Sequence, residues 1–231
     1  MTITLITGAN KGLGYETARR LTAEGHSVYI GARNAERGQR AADALQARFV
    51  HIDVTSDDSV RAAARTIAEA EGRLDVLINN AGIWDGRIGI DGLTGASALA
   101  EFDTNAVGVV RTITAFRDLL ERSVNPVVVN ISSGLGSFWA VTNPDRNESH
   151  YATISYSASK AAVSMLTVEF AKALPHLKIN AAEPGFTSTD LTGNSAGQPV
   201  SQGVESIVQL ALMGPDGPSG TFHEVGGTLP W

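Results

Sequence analysis

The sequence predicts a doubly wound α/β fold, a parallel sheet with helices on both faces. Three observations carry this. Short apolar, β-branched runs recur along the chain and alternate with longer helical stretches. A glycine-rich turn joins the first run to the first helical stretch. No repeat, low-complexity tract or long linker breaks the alternation, so residues 1–231 read as a single domain.

Strands are expected at Ile3 to Thr7, Ser27 to Gly31, Phe49 to Val54, Val76 to Asn79, Val127 to Ile131 and Ile179 to Ala182. Continuous apolar runs of this length suit strands buried on both faces. Helices are expected at 13–24, 35–47, 57–71, 97–122, 154–174 and 201–213. Right-handed crossovers then distribute them over both sides of the sheet. The irregular segments 83–96, 134–152 and 184–200 each follow a strand. They therefore lie at the carboxyl edge, where open α/β sheets bind ligands.

Composition narrows the function classes. A chain of 231 residues with 43% hydrophobic side chains buries roughly 70% of its unfolded surface. The net charge of -6, with no Lys/Arg run, speaks against nucleic acid as a partner. Without cysteine, disulfides and thiolate metal sites are excluded. No apolar stretch approaches the roughly 18 residues of a membrane span, and the first residues read as a strand rather than a signal peptide. A soluble cytoplasmic protein is the default expectation.

Four motifs follow one another. The turn Thr7-Gly8-Ala9-Asn10-Lys11-Gly12-Leu13-Gly14 has the spacing G-x-x-x-G-x-G. Its missing side chains let a pyrophosphate approach the N–H groups at the helix start. Asn79-Asn80-Ala81-Gly82 ends the fourth strand, and Ser132-Ser133 ends the fifth. Tyr156 and Lys160 lie one helical turn apart and so share a face. An ammonium group there would favour the phenolate and make the phenol a better proton donor.

With Asp53-Val54, Asn105, Pro184-Gly185 and Thr189 added, the set resembles the short-chain dehydrogenase/reductase family, of the carbonyl-reductase-like, NADP-preferring kind. The likeness covers nearly the whole chain. It implies a seven-stranded Rossmann-like parallel sheet in the order 3-2-1-4-5-6-7. It implies that Asp53 and Val54 hold the adenine, that Asn80, Ala81 and Gly82 lie along the cofactor, and that Pro184, Gly185, Thr187 and Thr189 hold the nicotinamide side. It implies catalytic roles for Asn105, Ser133, Tyr156 and Lys160. Tyr156 would be the acid in reduction, and Lys160 would lower its pKa and hold the nicotinamide ribose. Ser133 would hold the substrate oxygen, and Asn105 would position a water linked to the lysine.

The dinucleotide is read from charge. An acidic side chain about 20 residues past the glycines reads a 2′-hydroxyl, and Arg reads a 2′-phosphate. Here the second strand runs into Gly31-Ala32-Arg33-Asn34, with Lys11 a second cation and no carboxylate among the four. NADPH/NADP+ is therefore the expected cofactor. Neighbouring strand residues face opposite ways, so only one of Ser132 and Ser133 can face the nicotinamide, and the family motif selects Ser133.

About ten residues look inserted within Gly136 to Ile154, as in carbonyl-reductase-like members. This favours a small-molecule ketone or aldehyde as substrate. Trp84, Phe138, Trp139, Phe186 and Leu191 are expected to line the pocket, under a small lid at 190–200. Tyr151 has Ser155 four residues on and is read as a decoy. His26, His51, His150, His176 and His223 show no ligand spacing, so no metal is expected; His150 is the one near the pocket. The tail Gly220 to Trp231 reads as a last strand and an apolar end. The sequence leaves open monomer or homo-oligomer, and also the physiological direction: an alcohol dehydrogenase working in oxidation shares every motif. A non-catalytic NADP-sensing regulator is the other alternative; such relatives generally lose the tyrosine or lysine, and this chain keeps both.

Overall fold

A computed structural model describes residues 1–86, 88–194 and 197–231. Its sheet has the order β3-β2-β1-β4-β5-β6-β7-β8. The strands are β1 (Ile3–Thr7), β2 (Ser27–Ala32), β3 (Arg48–His51), β4 (Val76–Asn79), β5 (Val127–Ile131), β6 (Lys178–Ala182), β7 (Phe222–Glu224) and β8 (Gly227–Thr228). The first seven pair in parallel, in the expected order. The eighth is an addition to the seven expected parallel strands. It turns back through Val225-Gly226 and pairs antiparallel with β7.

The continuous apolar runs are explained by two cores, one on each face of the sheet. Leu5, Tyr29, Leu77 and Val128 belong to one core. Their chain neighbours Ile6, Ile30, Ile78 and Val129 belong to the other. On the first side lie α3 (Asp57–Glu71), α5 (Gly108–Leu120) and α7 (Ile154–Ala173); on the second lie α1 (Gly12–Ala23), α2 (Ala35–Leu45) and α9 (Glu205–Ala211). Local chemistry sets several ends. Asn34 and Ser56 cap α2 and α3 with their side chains, and Gly72 closes α3 in the left-handed region.

Four further features depart from the sequence reading. The stretch 97–122 is not one α-helix: α4 (Gly95–Phe102) passes through a π-helical turn, Asp103–Val107, into α5. The third strand stops at His51, because Asp53 turns the chain by accepting from the Thr55 N–H and hydroxyl. The inserted segment holds a short helix α6 (Phe138–Thr142), and residues 201–213 divide into α8 (Val200–Gly203) and α9. No helix among the described residues is long and apolar enough to cross a membrane.

Candidate active site

Two cavities meet at the carboxyl edge of the sheet, and Tyr156 lines both. The first, about 430 Å³, runs from Arg33 and Asp53 past Gly8, Asn10, Lys11, Gly12 and Leu13 to Lys160. Val54, Asn80, Ala81, Gly82, Pro184 and Thr189 also line it. The second, about 810 Å³, is bounded by Ser133, Trp84, Tyr151, Phe186 and Glu183. Gly185 and Thr187 lie on its wall, and Leu191 is shared by both.

The glycine turn is built for close approach. Gly8 and Gly12 have φ of 65° and 58°, a region costly for residues with a Cβ. Gly14 reaches neither cavity. It lets α1 press on the fourth strand's end: a methyl there would stand 2.5 Å from Asn80 Nδ2. Asn80 Nδ2 in turn donates to the carbonyls of Thr7 (2.8 Å) and Gly8 (3.2 Å). Asn79 points inward instead. It donates to Asn130 and accepts from Thr112, at 2.8 and 2.7 Å. The cradle is lined by bare backbone, has cations at Lys11 and Arg33, and leads to Tyr156 and Lys160. That arrangement fits an extended, phosphate-bearing dinucleotide. Lys11 is paired with Asp190 at 2.8 Å in the exposed rim, while Arg33 forms no ion pair among the described residues.

The first two turns of α7 carry Tyr156 and Lys160. Gly136 brings the serine turn against this helix: a methyl on it would stand 2.6 Å from the Lys160 carbonyl carbon. Ser133 lines the second cavity beside Tyr156, and its hydroxyl favours the Tyr156 phenolate. Ser132 also lines both cavities, but its buried hydroxyl is engaged, donating to the Lys160 carbonyl at 3.0 Å and bonded to Ser164. Lys160 is buried, and its Nζ donates to the Ile131 carbonyl at 2.8 Å. Burial holds its pKa down at about 8, partly offset by the carboxylate of Glu183.

The expected depression of the tyrosine pKa is not what this geometry gives. The ammonium lies over the ring, 5.7 Å from its centroid. Burial, with the charges of Glu183 and Glu101, pushes the phenol well above its ordinary value, and the nearby Ser133 hydroxyl opposes this. Asn105 lines neither cavity. Its amide donates to the Ile83 carbonyl and to Ser159 Oγ, both at 2.9 Å, and its oxygen accepts from the Ile83 N–H at 2.8 Å. It sits in the π-turn, a feature often found at functional sites. Asn105 and Lys160 converge on Gly82, where a methyl would meet Asn105 Oδ1 at 3.3 Å and Lys160 Nζ at 3.6 Å.

Some expected lining residues stand elsewhere. Phe138 and Trp139 reach neither cavity, because α6 turns them outward; Trp139 packs under the Arg146 guanidinium. His150 is exposed and also lines neither cavity. Tyr151, read as a decoy, does line the second cavity. Glu183 was missed altogether. The available signal was a lone carboxylate at the end of the apolar run Ile179-Asn180-Ala181-Ala182, immediately before Pro184. No cluster of metal-ligating side chains is present among the described residues.

The sequence matches the profile of the short chain dehydrogenase family over residues 2–199. The chain belongs to that family. It is 32% identical over 261 residues to the short-chain dehydrogenase/reductase ATR10 of Stachybotrys chlorohalonatus, covering 99% of this chain and 94% of the relative. It is 27% identical to a (+)-neomenthol dehydrogenase of Capsicum annuum, with 94% of each covered. Among solved structures it is similar to an NADPH-bound carbonyl reductase from chicken fatty liver, with TM-score 0.89, 26% identity and 100% of both chains covered. The protein is thus an oxidoreductase of a family that works with a nicotinamide cofactor and a small-molecule substrate.

Proposed function

We propose that this short chain dehydrogenase is an NADPH-dependent carbonyl reductase, converting a ketone or aldehyde to an alcohol with Tyr156 as proton donor. One observation carries the reading: Tyr156 lines both cavities where they meet, and Ser133 lines the second beside it. A carbonyl oxygen in the second cavity can reach both hydroxyls from there.

When bound, the cofactor supplies the hydride. The glycine turn would hold its phosphates, Asp53 and Val54 its adenine, and the Pro184–Thr189 segment its nicotinamide side. Arg33 and Lys11 would meet a 2′-phosphate, the first through a guanidinium suited to bidentate contact. Ser133 donates to the substrate oxygen as negative charge develops on it. Tyr156 delivers the proton to that oxygen. Lys160 supplies positive charge beside the resulting phenolate, and Asn105 fixes Ile83 and Ser159 around that helix turn. Trp84, Tyr151 and Phe186 give the second cavity aromatic walls for an apolar substrate body.

The test is a panel of ketones, aldehydes, quinones and ketoesters followed by NADPH absorbance, repeated with NADH. Reduction of at least one class, with kcat/KM favouring NADPH, is expected. Turnover that favours NADH would contradict the cofactor assignment, and inertness to every class would contradict the reductase assignment.

A further inference from the structure

We propose that Glu183 is a positioning residue of this site. Its buried carboxylate clamps the Ser133–Gly134 turn to the Pro184–Gly185 turn, and its charge opposes that of a phenolate at Tyr156, so that the phenol holds its proton more tightly than it would beside a neutral side chain.

The clamp is visible in the hydrogen bonds. One carboxylate oxygen accepts from the Gly134 N–H and the other accepts from the Gly185 N–H, the second at 2.8 Å. Gly134 follows Ser133, and Gly185 belongs to the turn assigned to the nicotinamide side. One side chain therefore spans the two loops that must stay in register for a carbonyl to meet both. The backbone of Glu183 is itself fixed: its N–H donates to the His223 carbonyl at 2.7 Å, and its carbonyl accepts from Ser206 at 2.9 Å. Only 7% of the residue is exposed, so its charge is little screened.

The surroundings are predominantly acidic. Tyr156 and Lys160 face Glu183 from α7. Glu148, from the 3₁₀ turn Asn147–His150, and Glu224, from β7, add negative potential. Both of these are bound by Arg146, at 2.9 and 2.8 Å, which leaves that cation committed elsewhere. His223 is turned to the Thr221 hydroxyl, and Glu101 is a further negative charge on Tyr156. Burial and the two neighbouring glutamates raise the Glu183 carboxyl to about 7, while the two N–H donors favour its ionised form. The clamp thus tightens as pH rises through neutrality.

The statement about Tyr156 rests on its role as proton donor; the clamp does not. Two measurements on the full chain separate them. In ¹⁵N–¹H spectra of glycine-labelled protein, the Gly134 and Gly185 amides should titrate together with one midpoint near neutrality, and the glutamine variant E183Q should abolish that titration. Amides that move independently, or that still titrate in E183Q, would overturn the clamp whatever the enzyme reduces. In the holoenzyme, the pH profile of alcohol oxidation by E183Q should move about one unit to lower pH, a tenfold gain in phenolate at fixed pH. Superimposable oxidation profiles in an enzyme that Tyr156→Phe silences would overturn the electrostatic role and leave the reductase reading standing. A chain that turns over no carbonyl or alcohol would sink that reading and this role together, with the clamp decided by the spectra.

Discussion

Replacing Gly14 by alanine tests the packing that sets the cofactor cradle. By helix propensity alone the change should stabilise α1 by about 1 kcal/mol, since glycine is the poorer interior residue. The structure predicts the reverse. The added methyl would stand 2.5 Å from Asn80 Nδ2 and 2.9 Å from both Ala9 Cα and the Gly8 oxygen. Two of these three neighbours are backbone atoms. Overpacking of this kind costs about 1–3 kcal/mol. Moving Asn80 also endangers its bonds to the Thr7 and Gly8 carbonyls, worth about 1 kcal/mol each. Subtracting the propensity gain leaves a net loss of about 2–4 kcal/mol, or a Tm lowered by about 4–16 °C for a chain of this size. Thermal melts and NADPH fluorescence titrations are the assays, and weakened cofactor binding should accompany the lower Tm. Gly95, with no atom within 4 Å of a built methyl, is the control, and its alanine variant should melt at or slightly above the parent. A Gly14→Ala protein that melts at or above the parent would refute the packing argument.

Two further outcomes are expected. Arg33→Ala should lower kcat/KM for NADPH about 10–100-fold, the worth of charged hydrogen bonds to a phosphate, and leave NADH nearly unchanged; steady-state kinetics with both cofactors checks this. Glu183 binds its proton more tightly when folded, its carboxyl standing at about 7 against the ordinary 4.5. Its contribution to stability is therefore fully present below the ordinary carboxylate range and is lost as pH rises through about 7. Melts of the parent and E183Q should show the parent losing about 3 kcal/mol relative to the variant between about pH 5 and pH 8; a gap that stays constant would count against the buried carboxyl.

Much of the architecture was legible because parallel strands buried on both faces leave uninterrupted apolar runs. Pairs such as Leu5–Ile6 and Val128–Val129 feed opposite cores, so the run itself marks the strand. The glycine turn and the Tyr156–Lys160 pair were legible because backbone approach and a shared helix face each demand a fixed spacing. The π-turn at Asn105 was not. It is continuous in sequence with α4 and α5, and its extra residue appears only through tertiary bonds to Ile83 and Ser159. The β7–β8 hairpin was hidden by shortness, since Gly227–Thr228 has no strand-like run. Phe138 and Trp139 were misplaced because aromatic character does not say which way a short helix turns. The effect of Lys160 on Tyr156 was misjudged because one-turn spacing fixes the shared face, not the position of the ammonium. The Ile131 carbonyl holds it over the ring.

The role proposed for the Tyr156 hydroxyl is that of proton donor at the junction of the two cavities. Single-turnover reduction by Tyr156→Phe, with NADPH affinity measured alongside, tests it most directly. We predict unchanged NADPH binding and a rate lowered about 10²–10⁴-fold, the usual worth of a positioned general acid. Turnover within a few-fold of the parent, with the cofactor bound normally, would rule Tyr156 out as the proton donor.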